Sequence, residues 1–325
     1  MPEGEATPLT PVAATPVPPV AAAPRSKRAV FVRRLSSAVA LWTLLLVVLL
    51  AGQPVGYFVL VAGFGLGGLW EFYGMLDHRG LPNYRVFGMV VATVFLVGSS
   101  YLWFRASTFP DSPTHHTISA NNFEIGGLLI FLLGVFGRQF FTHSSRDIPP
   151  LETMAYTVFG LFYVPWLFNC ITKVIYVVPR IDGALVGQFY VLYLIAVSKF
   201  SDMGAYIVGS LIGRHKMVPH ISPAKTWEGF GGALAFSLLA SYGLRALMPV
   251  KLGLLDNVDC LVMGLTLSVV AVIGDLAESI LKRSTGVKDS GRLLPGIGGV
   301  LDLIDSLLFT APVLYFYLCY LLRHA

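Results

Sequence analysis

Hydrophobic runs recur along the chain at lengths that suit a bilayer. They cover residues 35–51 and 55–76, then stretches near 87–104, 123–137, 153–172, 184–209, 230–248, 258–281 and 301–322. A helix needs roughly 20 predominantly apolar residues to cross the hydrocarbon core. The pattern therefore predicts an all-α, polytopic integral membrane protein of about nine transmembrane helices. Residues 1 to about 24 are rich in Pro, Ala and Thr and lack helical periodicity, which predicts a disordered tail. The expected organisation is a tail over 1–28, N-terminal transmembrane helices over 29–183, and a catalytic transmembrane region over 184–325.

Charge sets the orientation. Arg25, Lys27, Arg28, Arg33 and Arg34 precede the first apolar run. No convincing signal-peptide cleavage site follows it, so the run reads as a retained helix with a cytoplasmic N-terminus. Alternating spans then put the loops near 77–86, 138–152, 210–228 and 282–300 on the same side. About 16 of the 23 Lys and Arg fall there, as the positive-inside rule requires.

Composition narrows the class further. The chain is 55% hydrophobic and 13% charged, with a mean hydropathy of +0.71. These values exclude a soluble domain with one buried core. A net charge of +5 then reflects basic loops and anionic lipid head groups, not a nucleic-acid partner. Cys170, Cys260 and Cys319 lack ligand or disulfide spacing.

Against that background the stretch 274–306 stands out. It reads GDLAESILKRSTGVKDSGRLLPGIGGVLDLIDS, with Asp275, Glu278, Asp289, Asp302 and Asp305 among Lys282, Arg283, Lys288 and Arg292. An ionisable group at hydrocarbon depth costs roughly 2.5–3.5 kcal/mol even on the lenient insertion scale, so it needs a partner or a watery cavity. Asp275 and Glu278 are three apart, as are Asp302 and Asp305, so each pair shares a helix face. Glycines at 286, 291, 296, 298 and 299 and Pro295 make the intervening segment a loop that can bring amides and cations to phosphate. Carboxylates suit magnesium, which takes one or two of them together with phosphate oxygens. Metal-assisted phosphoryl or nucleotidyl transfer is the chemistry this set describes.

Two shorter stretches add to it. In SKFSDMGAYIVGSLIGRHK, Lys199 and Asp202 are spaced to pair on one helix face, and Gly209 and Gly213 form a packing motif. In HISPAKTWEGFGG, residues 220–232, Ser222 followed by Pro223 reads as an N-cap and first helical turn. Free amides there, with Lys225 and Thr226, would form a phosphate cradle. Other features read as structural. Gly63, Gly65 and Gly68 match GxGxxG, but no strand precedes them, so they signal helix packing. Trp70 and Glu71 read as an interfacial anchor. His115 and His116 read as solvated loop residues, and His215 and His220, without acidic neighbours in sequence, as loop hydrogen-bonders.

The run 279–305, SILKRSTGVKDSGRLLPGIGGVLDLID, closely resembles the signature of the phosphatidate cytidylyltransferases, the CDP-diacylglycerol synthases. Ser279, Lys282, Arg283, Lys288, Asp289, Pro295, Gly298, Gly299, Asp302 and Asp305 stand where that pattern expects them. Ile297 replaces its usual His and Leu303 its usual Arg. DMGAYIVGSLIGRH resembles the segment before the family's substrate loop, and SPAKTWEG its SPKKTxEG segment, with Ala224 for one lysine.

The resemblance implies transfer of CMP from CTP to phosphatidic acid at a cytoplasm-facing polar cavity, in the inner membrane of a bacterium. It implies Asp275, Asp302 and Glu278 as metal ligands, for Mg2+ with a second metal or a monovalent ion left open. Lys282, Arg283, Lys288, Asp289 and Asp305 join Asp275 and Asp302 as catalytic groups. Ser222, Lys225, Thr226, Glu228, Asp202, Tyr206, Gly298 and Gly299 would bind substrate. The bilayer is the expected surrounding, and a homodimer is left open. Two rivals remain: a CTP-dependent kinase of a polyprenol- or phytol-like alcohol, and a transporter, whose halves should show an internal repeat that the sequence lacks.

Overall fold

The computed structural model describes residues 27–108, 113–141, 150–291, 293 and 298–324. The predicted N-terminal tail, Arg292, Pro295 and Ile297 lie outside those residues, as do the side chains of His115 and His116. The chain forms α1 (Lys27–Ala51), α2 (Pro54–Arg79), α3 (Arg85–Thr108), α4 (Pro113–Phe141), α5 (Pro150–Leu161), a π-helical turn (Phe162–Trp166) and α6 (Cys170–Val177). After these come α7 (Gly187–Ile212), strands β1 (Lys216–Val218) and β2 (Ser222–Thr226), α8 (Trp227–Leu247), α9 (Asn257–Thr285) and α10 (Val300–His324).

Among the described residues eight helical segments are long and apolar enough to cross a bilayer, with α5, the π turn and α6 counting as one; the apolar part of α1, Leu35–Ala51, is shorter. The chain is an all-α polytopic integral membrane protein, as its hydrophobic pattern predicts. Local chemistry sets the helix ends. Pro54 opens α2 at a position where no backbone donor is needed, and Gly80 closes it at φ 74°. Asp256 and Asp259 cap α9 reciprocally, each carboxylate accepting from the other's backbone N–H at 2.7 and 2.8 Å. Pro165 lies inside the π turn, where its missing N–H coincides with the break in α-helical register.

One local expectation fails. Ser222 and Pro223 do not open a helix; they lie in β2, which pairs antiparallel with β1, Lys216 opposite Thr226 and Val218 opposite Ser222. A residue before proline is pushed to extended backbone, and the short ladder satisfies the groups a helix would have used. Thr226 caps α8 instead, its hydroxyl accepting from Gly229 N at 3.1 Å.

Gly65, Gly68 and Gly209 act in packing, whereas a Cβ on Gly63 would meet nothing within 4 Å. A Cβ on Gly68 would stand 3.0 Å from Ile304 and 3.1 Å from Val164, and one on Gly209 would stand 3.5 Å from the Cα of Gly229. A continuous apolar core runs from α2 to α10. Large apolar side chains such as Val86, Ile130 and Phe140 face outward, as lipid contact requires. Within the N-terminal helices Glu124 is buried. It pairs with Lys173 and accepts from Ser99 Oγ at 2.8 Å, Trp103 Nε1 at 3.1 Å and Asn169 Nδ2 at 3.1 Å.

Candidate active site

Asp275, Glu278 and Lys282 recur at intervals of three and four, so α9 presents them on one face. Gly274 lets α10 lie against that face, since a Cβ there would be 2.8 Å from the carbonyl oxygen of Asp305. The result is a cluster of three acids: carboxylate oxygens of Asp275, Glu278 and Asp305 all lie within 4.8 Å of one another. The structure thus brings Asp305 to Asp275 and Glu278. Asp302 stays beside Glu278 through their shared Lys282, whose Nζ is 3.0 Å from Asp302, and also accepts from Gly299 N at 2.8 Å and Ser290 N at 3.2 Å in the preceding loop. Three residues along a helix leave a rotation of about 60°, enough to send two acids to different partners.

The cluster borders an open cavity walled by α7, β1, β2, α8, α9 and α10. Asp202, Tyr206, Ser222, Lys225, Thr226, Asp275, Asp302 and Asp305 all line it, so these predicted residues converge from distant parts of the sequence. Three lysines are distributed among these acids and Glu278, which, like Lys282, adjoins the lining residues without being one of them. Lys225 Nζ is 2.7 Å from Asp275, Lys282 Nζ is 2.6 Å from Glu278, and Lys199 Nζ is 3.3 Å from Asp202 and 3.2 Å from Ser306 Oγ. Five carboxylates, those of Asp202, Asp275, Glu278, Asp302 and Asp305, thus face three ammonium groups. Glu278 is 1% exposed, and its Oε1 has no hydrogen-bond partner. An all-oxygen donor set with an orphaned buried oxygen fits a hard divalent cation.

Other predicted residues fall elsewhere. Arg283, Lys288 and Asp289 are exposed and are not among the residues lining the cavity. Glu228 also stands off the lining: its carboxylate accepts from Arg214 N at 3.1 Å and His215 N at 3.2 Å and meets His215 Nδ1 at 2.6 Å. Glu228 therefore clamps the entry to the hairpin, and His215 has the acidic neighbour that its sequence surroundings lack. Gly298, at φ 129°, and Gly299 shape the loop before α10.

Glu71, which reads in sequence as an interfacial anchor with a cavity-lining role as the weaker alternative, is 5% exposed, and its Oε2 accepts from Ser290 Oγ at 3.1 Å and Leu301 N at 2.9 Å. A Cβ on Gly299 would collide with Ser290 Oγ and Glu71 Oε2 and lie 2.7 Å from Gly291 N. The loop glycines are thus matched to a carboxylate on α2, some 220 residues earlier in the chain. A lone acid between Trp70 and Phe72 carries no short-range signal of that partnership.

An α-helical bundle with a carboxylate-rich, lysine-edged cavity defines an integral membrane protein whose polar centre suits phosphate chemistry. The model of the Cytidylyltransferase family matches residues 32–321, and the chain belongs to that family. It is a nucleotidyltransferase. It is similar to the phosphatidate cytidylyltransferase of Bacillus subtilis, 30% identical over 288 residues, covering 88% of this chain and 96% of that protein. It also resembles the uncharacterized protein YnbB of Escherichia coli K12, 40% identical over 164 residues, and the phosphatidate cytidylyltransferase of Mycobacterium leprae, 38% identical over 178 residues. Those two matches cover 50% and 53% of this chain and 51% and 54% of the relatives.

Proposed function

We propose that this protein condenses CTP with phosphatidic acid to give CDP-diacylglycerol and pyrophosphate, a step of phospholipid biosynthesis. The observation that carries the reading is the excess of carboxylate over ammonium in one cavity at the edge of a membrane bundle. Such a site has charge to share with a cation and lysines to share with phosphate. A phosphate oxygen of the lipid attacks the α-phosphorus of CTP, a new P–O bond forms, and the bond from that phosphorus to the bridging oxygen breaks, releasing pyrophosphate. This displacement depends on positioning and charge neutralisation more than on a protein nucleophile.

Asp275, Glu278 and Asp305 would hold Mg2+, which when bound supplies positive charge against the triphosphate. Lys225 and Lys282 exchange part of their contact with Asp275 and Glu278 for phosphate oxygens. Asp302 keeps Lys282 in place and tethers the loop through Gly299 N. Ser222 and Lys225 stand on a hairpin, so the substrate approaches a strand edge and not a helix terminus. The basic loops orient this end of the bundle to the cytoplasm, where CTP is found, and the membrane is the inner membrane of a bacterium.

Purified protein supplied with magnesium, phosphatidate and CTP labelled at either the α- or the γ-phosphate tests the reading. Label from the α-phosphate is expected in the lipid, with release of pyrophosphate and loss of turnover on chelation. Lipid labelled only from the γ-phosphate would make the protein a CTP-dependent lipid kinase instead.

A further inference from the structure

Lys199 stands between the polar cavity and a second, almost wholly apolar groove, formed by α1, α2, α6, α7 and α10, and lines both. On α7 the groove is walled by Val191, Ile195 and Lys199, three side chains at intervals of four that form one stripe about 12 Å long. Leu60 of α2 and Ile304 of α10 line it too, as does Leu45 of α1. Ile304 directly precedes Asp305, so the carboxylate cluster and the groove share one turn of α10.

We infer that this groove seats an acyl chain of the lipid substrate, with Lys199 at the level of its glycerol phosphate. The inference rests on phosphatidate being the acceptor. Continuity is the first argument, because an amphiphile with an anionic head and an apolar tail needs a polar and an apolar compartment that meet, and these two meet at Lys199. Charge is the second. Lys199 is the cation among the residues lining the groove, and an ammonium has three donors, of which two are directed at Asp202 and Ser306. A donor is left for a lipid phosphate. Tails are no better solvated by leucine than by other tails, so the groove contributes little affinity for apolar surface as such. Its contribution is positional: a chain held there fixes which way the lipid phosphate points.

The decisive experiment uses the full chain in lipid nanodiscs with a phosphatidate carrying a photoreactive group at the end of one acyl chain. Adducts are expected on the groove-lining residues of α1, α2 and α7 and should fall with excess ordinary phosphatidate. Adducts confined to outward faces, such as those bearing Val86 and Ile130, would overturn the inference. This mapping needs no turnover, so a wild-type protein that makes no CDP-lipid would sink the proposed reaction while the adducts still judge the groove.

Kinetics supply a second measure. Leu60→Trp, at a half-buried position, should raise KM for long-chain phosphatidate about tenfold while sparing a dihexanoyl substrate and KM for CTP. Equal effects on both chain lengths would count against the groove. Lys199→Met should raise KM for phosphatidate and not for CTP, with Lys199→Arg restoring it. A change confined to CTP would remove Lys199 from the role of positioning residue.

Discussion

Two groups of buried charge in this protein are alike in burial and differ in their balance of charge. Around Glu124 one carboxylate meets one ammonium, that of Lys173, and three neutral donors complete its shell. At the other group five carboxylates meet three ammonium groups, and Glu278 keeps an oxygen without a partner. In the first arrangement every charge has its opposite, and the oxygen left without a partner, Asn169 Oδ1, is neutral, so the network serves to hold α3, α4 and α6 together. The second leaves negative charge that protein alone does not neutralise. Burial of charge therefore does not distinguish a site from a strut; the balance of charge does.

The comparison breaks most visibly at the acids. Asp275→Asn should lower kcat by at least about 10³-fold, roughly 4 kcal/mol of lost transition-state stabilisation, while thermal stability in detergent holds or rises as like-charge repulsion is relieved. Unchanged turnover would remove Asp275 from the proposed metal set. Lys173→Met should do the reverse. It leaves the buried Glu124 carboxylate with neutral donors and no counter-charge, and should cost about 3 kcal/mol of stability, read as a lowered melting temperature, with kcat per folded molecule little changed. A Lys173→Met protein that melts normally but turns over slowly would mean the balanced network is coupled to the chemistry after all.

The same balance explains what was legible in the sequence. Helices were, because a bilayer-length apolar run leaves the backbone no alternative. The acids of 275–305 were, because five of them interrupt such runs within one short stretch. Spacing could say that Asp302 and Asp305 share a face, but not that Asp302 would accept from loop amides as well as from Lys282 while Asp305 closes on Asp275 and Glu278. Ser222–Pro223 was read as a helix start because capping is local, whereas its strand partner, Lys216–Val218, acts across a turn. Glu71 and the Lys173–Glu124 pair were illegible for a related reason. Each is a long-range partnership whose members look unremarkable among their own neighbours.

Glu71 sharpens the comparison at intermediate size, since it is buried like Glu124 yet serves the loop of the catalytic region. Glu71→Ala removes the acceptor of Leu301 N and Ser290 Oγ, at a cost of about 1–3 kcal/mol in stability for the groups left unsatisfied. Because the same loop positions Asp302, kcat should also fall, by about tenfold for about 1.4 kcal/mol of lost positioning. A stability loss with no kinetic effect would make Glu71 a strut like Glu124.

The smallest effect is expected at Glu228, which resembles the site acids in sequence and differs from them in surroundings. Its ring partner, His215, has a side chain that is 80% exposed, and solvent screens an exposed pair of this kind strongly. Glu228→Gln keeps a carbonyl oxygen that can still accept from the backbone N–H of Arg214 or His215, so the hairpin stays tied and only the charge is lost. KM for CTP should then rise by no more than about threefold, with kcat unchanged, because the hairpin carrying Lys225 keeps its place and nothing changes at the reacting phosphorus. A fall in kcat on the scale expected for Asp275→Asn would show that Glu228 reaches the substrate when the hairpin closes. The surplus of carboxylate would then be one larger than the cavity lining suggests.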